Sequence, residues 1–246
     1  MRFATEDELV VALAAGLRTI FPGFDRVEVE VPSRLGIADL VAVRTNRTRL
    51  ERRLGSELPA VLMPGAAQLL SALRSTQPMA EESLFRAAGV ERRYGRRLVR
   101  DLAASGHLAG SDAAWSLCPD LLDPYDEIIA IEAKHEDWRR ADAQAERYCT
   151  YADRAFVALP ADRVGTGTVD FFRRGRIGLI AVGERVEVLV DARPAAPAEP
   201  WRRFLVSEVL TARVPGRQTV RATLGTSASR YPRSAAAPFV PAQLAS

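Results

Sequence analysis

The order of hydrophobic and polar positions predicts a helix followed by two strands at the start of the chain. In residues 5–21 the apolar side chains recur at helical spacing, and Thr5 is placed to cap the first turn. Residues 26–32 alternate apolar and charged side chains, as a half-exposed strand does. Residues 36–43 form a more apolar strand interrupted by one acid, Asp39. The packing of a core does not explain this acid.

Shorter helical patterns follow, and then a segment that alternates like a small hairpin. Helices are predicted over residues 64–75, 79–89 and 90–106, and a hairpin over 107–119. Three helices followed by a two-stranded wing is the order of a winged helix-turn-helix. The run LVRDLAASGHL with the later WSL resembles the third helix and wing of that family. We therefore expect residues 59–120 to form an inserted domain of this kind.

The second half of the chain alternates strands with helices. The predicted elements are strand 126–134, helix 136–152, strand 155–160, helix 167–175, and strands 177–183 and 185–192. Such alternation indicates an α/β fold in which a mixed sheet is flanked by helices.

These patterns divide the chain into four segments. Residues 1–58 and 121–211 are expected to form the first and second parts of one core, which is interrupted by the insert at 59–120. Residues 212–246 are rich in Ala, Pro, Ser and Arg and have little periodicity, so we expect a loosely structured tail.

Composition narrows the class of protein without identifying it. The 246 residues are 48% hydrophobic and 26% charged, which suits one large or two small globular domains. The sequence has no long uncharged apolar run, and acids stand near its start, so we expect no membrane segment, no secretory signal and a cytoplasmic location. The net charge of +3 is a mild basic excess carried mostly by arginine, which gives weak support for a nucleic-acid partner.

The cysteines and histidines do not predict a metal site. Cys118 and Cys149 are isolated and lack CxxC spacing, which argues against a zinc site and a disulfide framework. His107 and His135 are far apart in sequence, and we expect both at exposed loops or helix ends.

The stretch IIAIEAK, residues 128–134, combines a buried strand with charged residues at its end. Side chains two apart on a strand point to the same face, so Glu132 and Lys134 are expected to lie side by side. Two readings are open: a simple ion pair of little energetic value, or the start of an active site.

Three short motifs together resemble those of the PD-(D/E)XK nuclease superfamily, whose fold is restriction-endonuclease-like. They are GIADLVAV with Asp39, IEAK with Glu132 and Lys134, and QAERY with Gln144 and Tyr148. The chain departs from the family in the long gap between the first two motifs, which the insert at 59–120 occupies. A folded insert closes its own ends and so disturbs the sheet little.

The resemblance implies a role for each of these residues. Asp39, Glu132 and the carbonyl of Ala133 would hold Mg²⁺, with Mn²⁺ as an alternative, because Mg²⁺ prefers hard oxygen ligands. Lys134 would orient the attacking water or neutralise the phosphate. Gln144 would lie near the metal or the DNA backbone on the same helix face as Tyr148, whose ring could instead simply pack.

An acid of the first helix is expected to join this site. Glu8 stands three residues after Thr5, so a capping box explains it. Glu6 lies on the apolar stripe of the helix, and the resemblance to resolvase-like members of the superfamily also favours Glu6 as a further catalytic and metal-binding residue.

The third helix of the insert carries a group of arginines. They surround Tyr94 and are Arg92, Arg93, Arg96, Arg97 and Arg100. All but the first fall on one helical face, which suits a helix lying against DNA. The alternatives are a solvated helix face, or pairing of Arg97 or Arg100 with Asp101 or Glu81.

The sequence as a whole predicts a Mg²⁺-dependent deoxyribonuclease of restriction or defence type. Its winged helix would position the DNA duplex, and a homodimer would allow both strands to be cut. Two other classes stay open: a catalytically decayed nuclease-fold protein that binds DNA or regulates, and a transcription-factor-like protein whose sheet mediates assembly.

Overall fold

The structure is a computed structural model that describes residues 3–74 and 77–214. Its helices are α1 Glu6–Ile20, α2 Arg47–Gly55, α3 Pro64–Ala72, α4 Glu81–Ala88, α5 Arg92–Ala104, α6 Trp138–Tyr148, α7 Thr166–Arg174 and α8 Pro200–Ala212. Its strands are β1 Arg26–Ser33, β2 Gly36–Thr45, β3 Leu108–Ser111, β4 Ala114–Leu117, β5 Tyr125–Ala133, β6 Arg154–Pro160, β7 Gly178–Val182 and β8 Val186–Val190.

Six strands form one mixed sheet in the order β1-β2-β5-β6-β7-β8. The β5–β6 and β6–β7 pairs are parallel, and the other pairs are antiparallel. The central strand β5 reads as a continuous apolar run because helices cover both of its faces. This arrangement confirms the predicted mixed α/β sheet flanked by helices.

The two faces of the sheet are covered by different helices. On one face, α1 packs its stripe of Leu9, Leu13 and Leu17 against side chains of β2 and β5. On the other face, α6 and α8 pack against the alternate side chains of the same strands, together with Phe172 of α7. Consecutive residues of β5 therefore enter opposite cores, which fixes the register of this strand.

The segment between β2 and β5 contains α2 and, after it, a second core formed by α3, α4, α5 and the hairpin β3–β4. Met79, which precedes α4, forms backbone hydrogen bonds of 2.8 Å with Trp115 of the hairpin in both directions. Helices α4 and α5 approach closely, because a Cβ added to Gly95 would lie 2.6 Å from the Phe85 ring. We call this group of elements the three-helix unit.

Two helices, α2 and α8, were not predicted. The one buried residue of α2 is Arg53, so this helix has no apolar stripe to reveal it. In α8 apolar and polar residues are buried on several sides, so no single face stands out. Helix α8 contributes to the sheet core through Val206 and to the core of the three-helix unit through Phe204 and Leu205.

A buried ion pair joins the two unpredicted helices. Arg53 of α2 donates hydrogen bonds of 2.9 and 2.6 Å to the carboxylate of Glu208 of α8. Arg53 also donates to the carbonyl oxygens of Leu58 and Pro59, and Glu208 accepts from the backbone N–H of Val61. Both Arg53 and Glu208 therefore hold the connection at residues 58–61, which leads into the three-helix unit.

The expectation that His107 is exposed was wrong. The side chain is fully buried, with 2.9 Å between Nε2 and the Pro59 carbonyl oxygen and 2.7 Å between Nδ1 and the hydroxyl of Ser105. Burial lowers the pKa of His107, which favours the neutral ring. Because both ring nitrogens have partners inside the fold, this histidine packs as a core residue.

Several predicted boundaries also change. The helix predicted over 136–152 is shorter and runs over Trp138–Tyr148, because Asp137 caps its N-terminus by accepting from the Arg140 N–H. Of the predicted tail 212–246, residue 212 is the last residue of α8 and residues 213 and 214 follow it. The rest of the predicted tail, from residue 215 onward, lies outside the described residues.

In the part of the chain that the structure describes, no helix combines the length and the apolar character needed to cross a bilayer.

Candidate active site

Asp39 and Glu132 lie on neighbouring strands at the same end of the sheet. In the register of β2 against β5, Leu40 pairs with Ile131. Asp39 and Glu132 are the next residues on the two antiparallel strands, so they lie beside each other. The backbone N–H of Ala133 donates a 2.7 Å hydrogen bond to Oδ2 of Asp39. Parallel pairing continues past β5, because the N–H of Lys134 donates to the carbonyl oxygen of Ala158 at 3.0 Å. The end of β5 is thus held on both sides.

Glu132 is buried and both of its carboxylate oxygens accept from side chains. Oε1 lies 3.1 Å from Nζ of Lys134, and Oε2 accepts from the hydroxyl of Tyr148. The Tyr148 hydroxyl also lies 2.9 Å from the carbonyl oxygen of Ile37, and its one proton can serve only one of the two acceptors at a time. Tyr148 therefore does more than pack its ring, although the ring is also part of the core.

Lys134 connects Glu132 to the first helix. Its Nζ lies 3.2 Å from Oε2 of Glu6, so this ammonium bridges two carboxylates from elements far apart in sequence. Burial disfavours the ammonium, but the carboxylates of Glu132 and Asp39 outweigh that effect and raise the pKa of Lys134. Glu6 is half-exposed at the start of α1, whereas Lys134 is mostly covered.

Asp39 is the carboxylate whose charge is least compensated. Burial and the nearby charge of Glu132 raise the pKa of Asp39 to about 6, against the opposing effects of the Ala133 N–H and of Lys134. Within residues 3–74 and 77–214, the Ala133 N–H is the one donor to this side chain. When all groups are ionised, three carboxylates face one ammonium, so a further cation at this place would be stabilised.

Gln144 lies one turn before Tyr148 on α6, on the helix face that packs towards the sheet. Its Oε1 is buried and has no hydrogen-bond partner in the described part of the chain. A buried amide oxygen without a donor leaves room for a donor that comes with a ligand or a water.

Tyr151 is a neighbour of the site that sequence reasoning did not single out. Its ring is fully buried 5.9 Å from that of Tyr148, and its hydroxyl has no partner among the described residues. Burial, with a contribution from Glu132, raises the pKa of Tyr151. Its position three residues after Tyr148 was the one sequence signal that could have placed Tyr151 near the site. A tyrosine that follows the end of a helix is, however, more commonly a packing residue.

The donor set suits a hard cation of the Mg²⁺ class. Asp39 and Glu132 supply carboxylate oxygens, and Ala133, which follows Glu132 in the chain, supplies a backbone carbonyl. The described residues contain no group of three or more His, Cys, Asp or Glu side chains arranged to hold a metal ion. Two carboxylates and a carbonyl fit an ion that keeps several waters, as Mg²⁺ does, and do not fit a fully protein-coordinated ion.

The arginines of α5 divide into paired and unpaired ones. Arg92 lies 2.6 Å from Glu82, and Arg96 lies 3.0 Å from Glu81. Arg97 makes only a loose contact of 4.0 Å with Asp101 on its own helix. Among the residues that the structure describes, neither Arg93 nor Arg100 has a carboxylate oxygen within 4.0 Å. Glu91 is nevertheless near Arg93: the backbone N–H groups of Arg93 and Tyr94 lower the pKa of Glu91, and the charge of Arg93 lowers it further. The predicted arginine face is therefore present on α5, with part of its charge already neutralised.

Tyr94 is held against α3. A Cβ added to Gly65 would lie 2.7 Å from the Tyr94 ring, so the ring covers the first turn of α3. The side chain is 40% exposed. Tyr94 thus packs α5 against α3 and is also partly accessible to solvent.

No family model, no curated protein and no solved structure matches this chain.

Proposed function

We propose that the protein is a metal-dependent endonuclease that hydrolyses DNA phosphodiester bonds at the end of β5. The observation that carries this proposal is the convergence of Glu6, Asp39, Glu132 and Lys134. Lys134 contacts Glu6 across 128 positions of sequence, and the Ala133 N–H contacts Asp39 across 94. The arrangement supports the PD-(D/E)XK resemblance, and with it a restriction-endonuclease-like fold, because these are the residues that the resemblance selects.

Phosphodiester hydrolysis needs an activated water and compensation for the negative charge that develops on the phosphate. In the proposed site, Asp39, Glu132 and the Ala133 carbonyl would hold Mg²⁺ or Mn²⁺. The bound ion would lower the pKa of a water and offset charge on the phosphate. Without such an ion, the carboxylates would repel DNA.

The protein side chains have distinct tasks in this proposal. Lys134 places a positive charge beside the phosphate and can donate to the attacking water, and Glu6 fixes the ammonium from the other side. Tyr148 fixes the carboxylate of Glu132. Gln144, whose Oε1 lacks a donor, would accept from a water of the substrate complex.

The three-helix unit would position the duplex. Its three helices and hairpin, with the Met79–Trp115 bridge, support a winged helix-turn-helix in which α5 lies on DNA. Arg93, Arg97 and Arg100 are the available cations, since Arg92 and Arg96 pair with acids of α4. Cutting both strands with one site per chain would favour a homodimer.

A second candidate is a nuclease-fold protein that binds DNA without cleaving it. One observation favours it: both oxygens of Glu132 already accept hydrogen bonds inside the protein, from Tyr148 and Lys134. The carboxylate is thus stabilised inside the protein without a bound cation, and its remaining lone pairs are still free to accept one.

Plasmid cleavage separates the two candidates. We expect supercoiled DNA to be nicked or linearised in Mg²⁺ and left intact with a chelator. The variant Asp39→Asn should bind DNA but not cleave it, whereas Asp7→Asn, an exposed acid of the same charge on α1, should cleave as the wild type does. Tight DNA binding with no cleavage in Mg²⁺ or Mn²⁺ would support the second candidate instead.

A further inference from the structure

A cavity of about 400 Å³ lies at the border between the three-helix unit and the sheet. Its lining comes from α2, from the end of α3, from β4 and from the connection that leads to β5. Leu73, Leu117 and Leu122 give it apolar walls. Arg49 and Arg74 contribute two positive charges to the lining and Asp123 one negative charge. The cavity shares no residue with the acid and lysine site described above.

Arg74 is a mostly buried cation with poor compensation. Its guanidinium lies 4.9 Å from the centre of the Phe204 ring, and its Nε is buried with no hydrogen-bond partner in the described residues. The nearest acid is Asp123, at 3.8 Å. Asp123 already accepts hydrogen bonds of 2.8 Å from Arg203 and 2.9 Å from Ser207. Burial therefore lowers the pKa of Arg74, because the nearby carboxylate does not offset the loss of hydration.

Arg49 supplies a second cation that a ligand could recruit. Its contact with Asp126 is 3.4 Å long, and both side chains are about two-fifths exposed, so this pair is of the weak surface kind. An arginine can keep such a contact and still direct other N–H groups to an anion, because its guanidinium has five donors. The cavity thus places two arginine side chains next to an apolar surface.

We propose that this cavity binds a small organic anion whose carboxylate, phosphate or sulfonate group contacts Arg74 and Arg49 and whose flat apolar body covers the leucine side chains. Its volume suits a molecule of two or three rings. Binding would connect the three-helix unit to α2 and so stabilise the contact between the two halves of the fold. The proposal does not depend on cleavage activity.

Titration of the full chain with 8-anilinonaphthalene-1-sulfonate, a flat aromatic anion, tests this directly. We expect one saturable site, detected by fluorescence, and at least about tenfold weaker binding to Arg74→Met, because a charge-assisted hydrogen bond is lost while the apolar stem is kept. Arg86→Met, which removes an exposed arginine of α4, should bind the dye as the wild type does. The uncharged analogue N-phenyl-1-naphthylamine should bind at least about tenfold more weakly than the sulfonate.

A second variant keeps the test decisive if Arg74→Met does not fold. Ser116→Phe adds a ring at the lining of the cavity, keeps both arginines, and should abolish dye binding. The proposal is overturned if no saturable site is found, if the uncharged analogue binds as tightly as the sulfonate, or if either variant, once shown to be folded, binds the dye like the wild type.

Discussion

Asp39 and Glu132 share one site but have different surroundings. Glu132 is buried deeper and has two side-chain donors, Tyr148 and Lys134. Asp39 has one backbone donor, and its pKa is raised to about 6 by burial and by the charge of Glu132. Ionised Asp39 is therefore a source of instability that a bound cation would relieve.

The first prediction concerns the stability of Asp39→Asn. Because the pKa of Asp39 is about 6 in the fold and 3.8 as a free group, ionising it destabilises the fold as pH rises from 3.8 to 6, and the full effect is present above pH 6. Without divalent cations, Asp39→Asn should raise the free energy of unfolding at pH 8 by about 1–3 kcal/mol. Near pH 4 the gain should nearly vanish. Urea unfolding at both pH values measures this, and an equal effect at both would contradict the raised pKa.

The second prediction concerns the pH dependence of cleavage. A neutral Asp39 cannot serve as a carboxylate ligand, so Mg²⁺-dependent cleavage should fall as pH drops through about 6. Raising the Mg²⁺ concentration should shift this fall to lower pH, because the cation competes with the proton. Rates measured between pH 5 and 8 at two Mg²⁺ concentrations test this, and a fall whose midpoint does not move with Mg²⁺ would argue against Asp39 as a ligand.

The third prediction compares two tyrosines. Tyr148→Phe removes a donor to the buried carboxylate of Glu132 and should lower the free energy of unfolding by about 1–3 kcal/mol. Tyr151→Phe removes a buried hydroxyl that has no hydrogen-bond partner in the described part of the chain, and it should be neutral or slightly stabilising. Thermal or urea unfolding of both variants provides the comparison. Equal losses would mean that the Tyr148 hydroxyl makes no special contribution.

At the scale of elements, sequence reasoning succeeded where an element has one apolar face or is a nearly continuous apolar run. Helix α1 is of the first kind, and strands β2 and β5 are of the second. These three elements position Glu6, Asp39 and Glu132. Sequence reasoning could not predict α2, because its buried residue is an arginine, or α8, because that helix is buried on several sides and has no single apolar face. The ion pairs of α5 with α4 also depend on how two helices pack, which the sequence of either helix alone does not specify.

The fourth prediction belongs to α5. Replacing Arg93, Arg97 and Arg100 together by Ala should weaken DNA binding and reduce the slope of log affinity against log salt by up to about three. Arg96 is left in place because it pairs with Glu81. Cleavage at low salt and saturating DNA should survive, since the acid and lysine site is unchanged.

A control with the same charge change shows whether position matters. The exposed residues Arg174, Arg185 and Arg193 lie in the sheet half of the chain, and their combined replacement by Ala should alter the salt slope much less. Fluorescence anisotropy at several salt concentrations measures both triple variants. Equal effects would identify the arginines of α5 as a solvated face.

At the scale of the whole molecule, the three-helix unit interrupts the sheet without disturbing the pairing of β2 with β5. The resemblance implied that Asp39 and Glu132 share one site, but the direct pairing of their two strands was not predicted. The contacts that attach the three-helix unit to α2 and α8 could not be predicted. They join Arg53, Glu208 and the connection before α3, which are far apart in sequence. His107 was misjudged for the same reason: its partner Pro59 is distant in sequence.

The fifth prediction tests this attachment. Glu208→Gln leaves the buried guanidinium of Arg53 without its charged partner and should lower the free energy of unfolding by about 3–5 kcal/mol. The double variant Arg53→Met/Glu208→Leu should recover much of the loss, because it removes both charges. Urea unfolding measures both proteins. A double variant as unstable as the single one would show that the hydrogen bonds to the connection matter more than the ion pair.

The central claim is that the end of β5 is a metal-dependent nuclease site, and its most direct test is single-turnover cleavage of an end-labelled duplex by wild type and Glu132→Gln as Mg²⁺ is titrated. Glutamine keeps the size of the side chain and removes its charge. The proposed function predicts a wild-type rate that saturates with Mg²⁺ and vanishes without it, and a rate at least about a hundredfold lower for Glu132→Gln at equal DNA occupancy. Cleavage by Glu132→Gln at the wild-type rate, or no cleavage by a wild-type protein that binds the duplex, would contradict it.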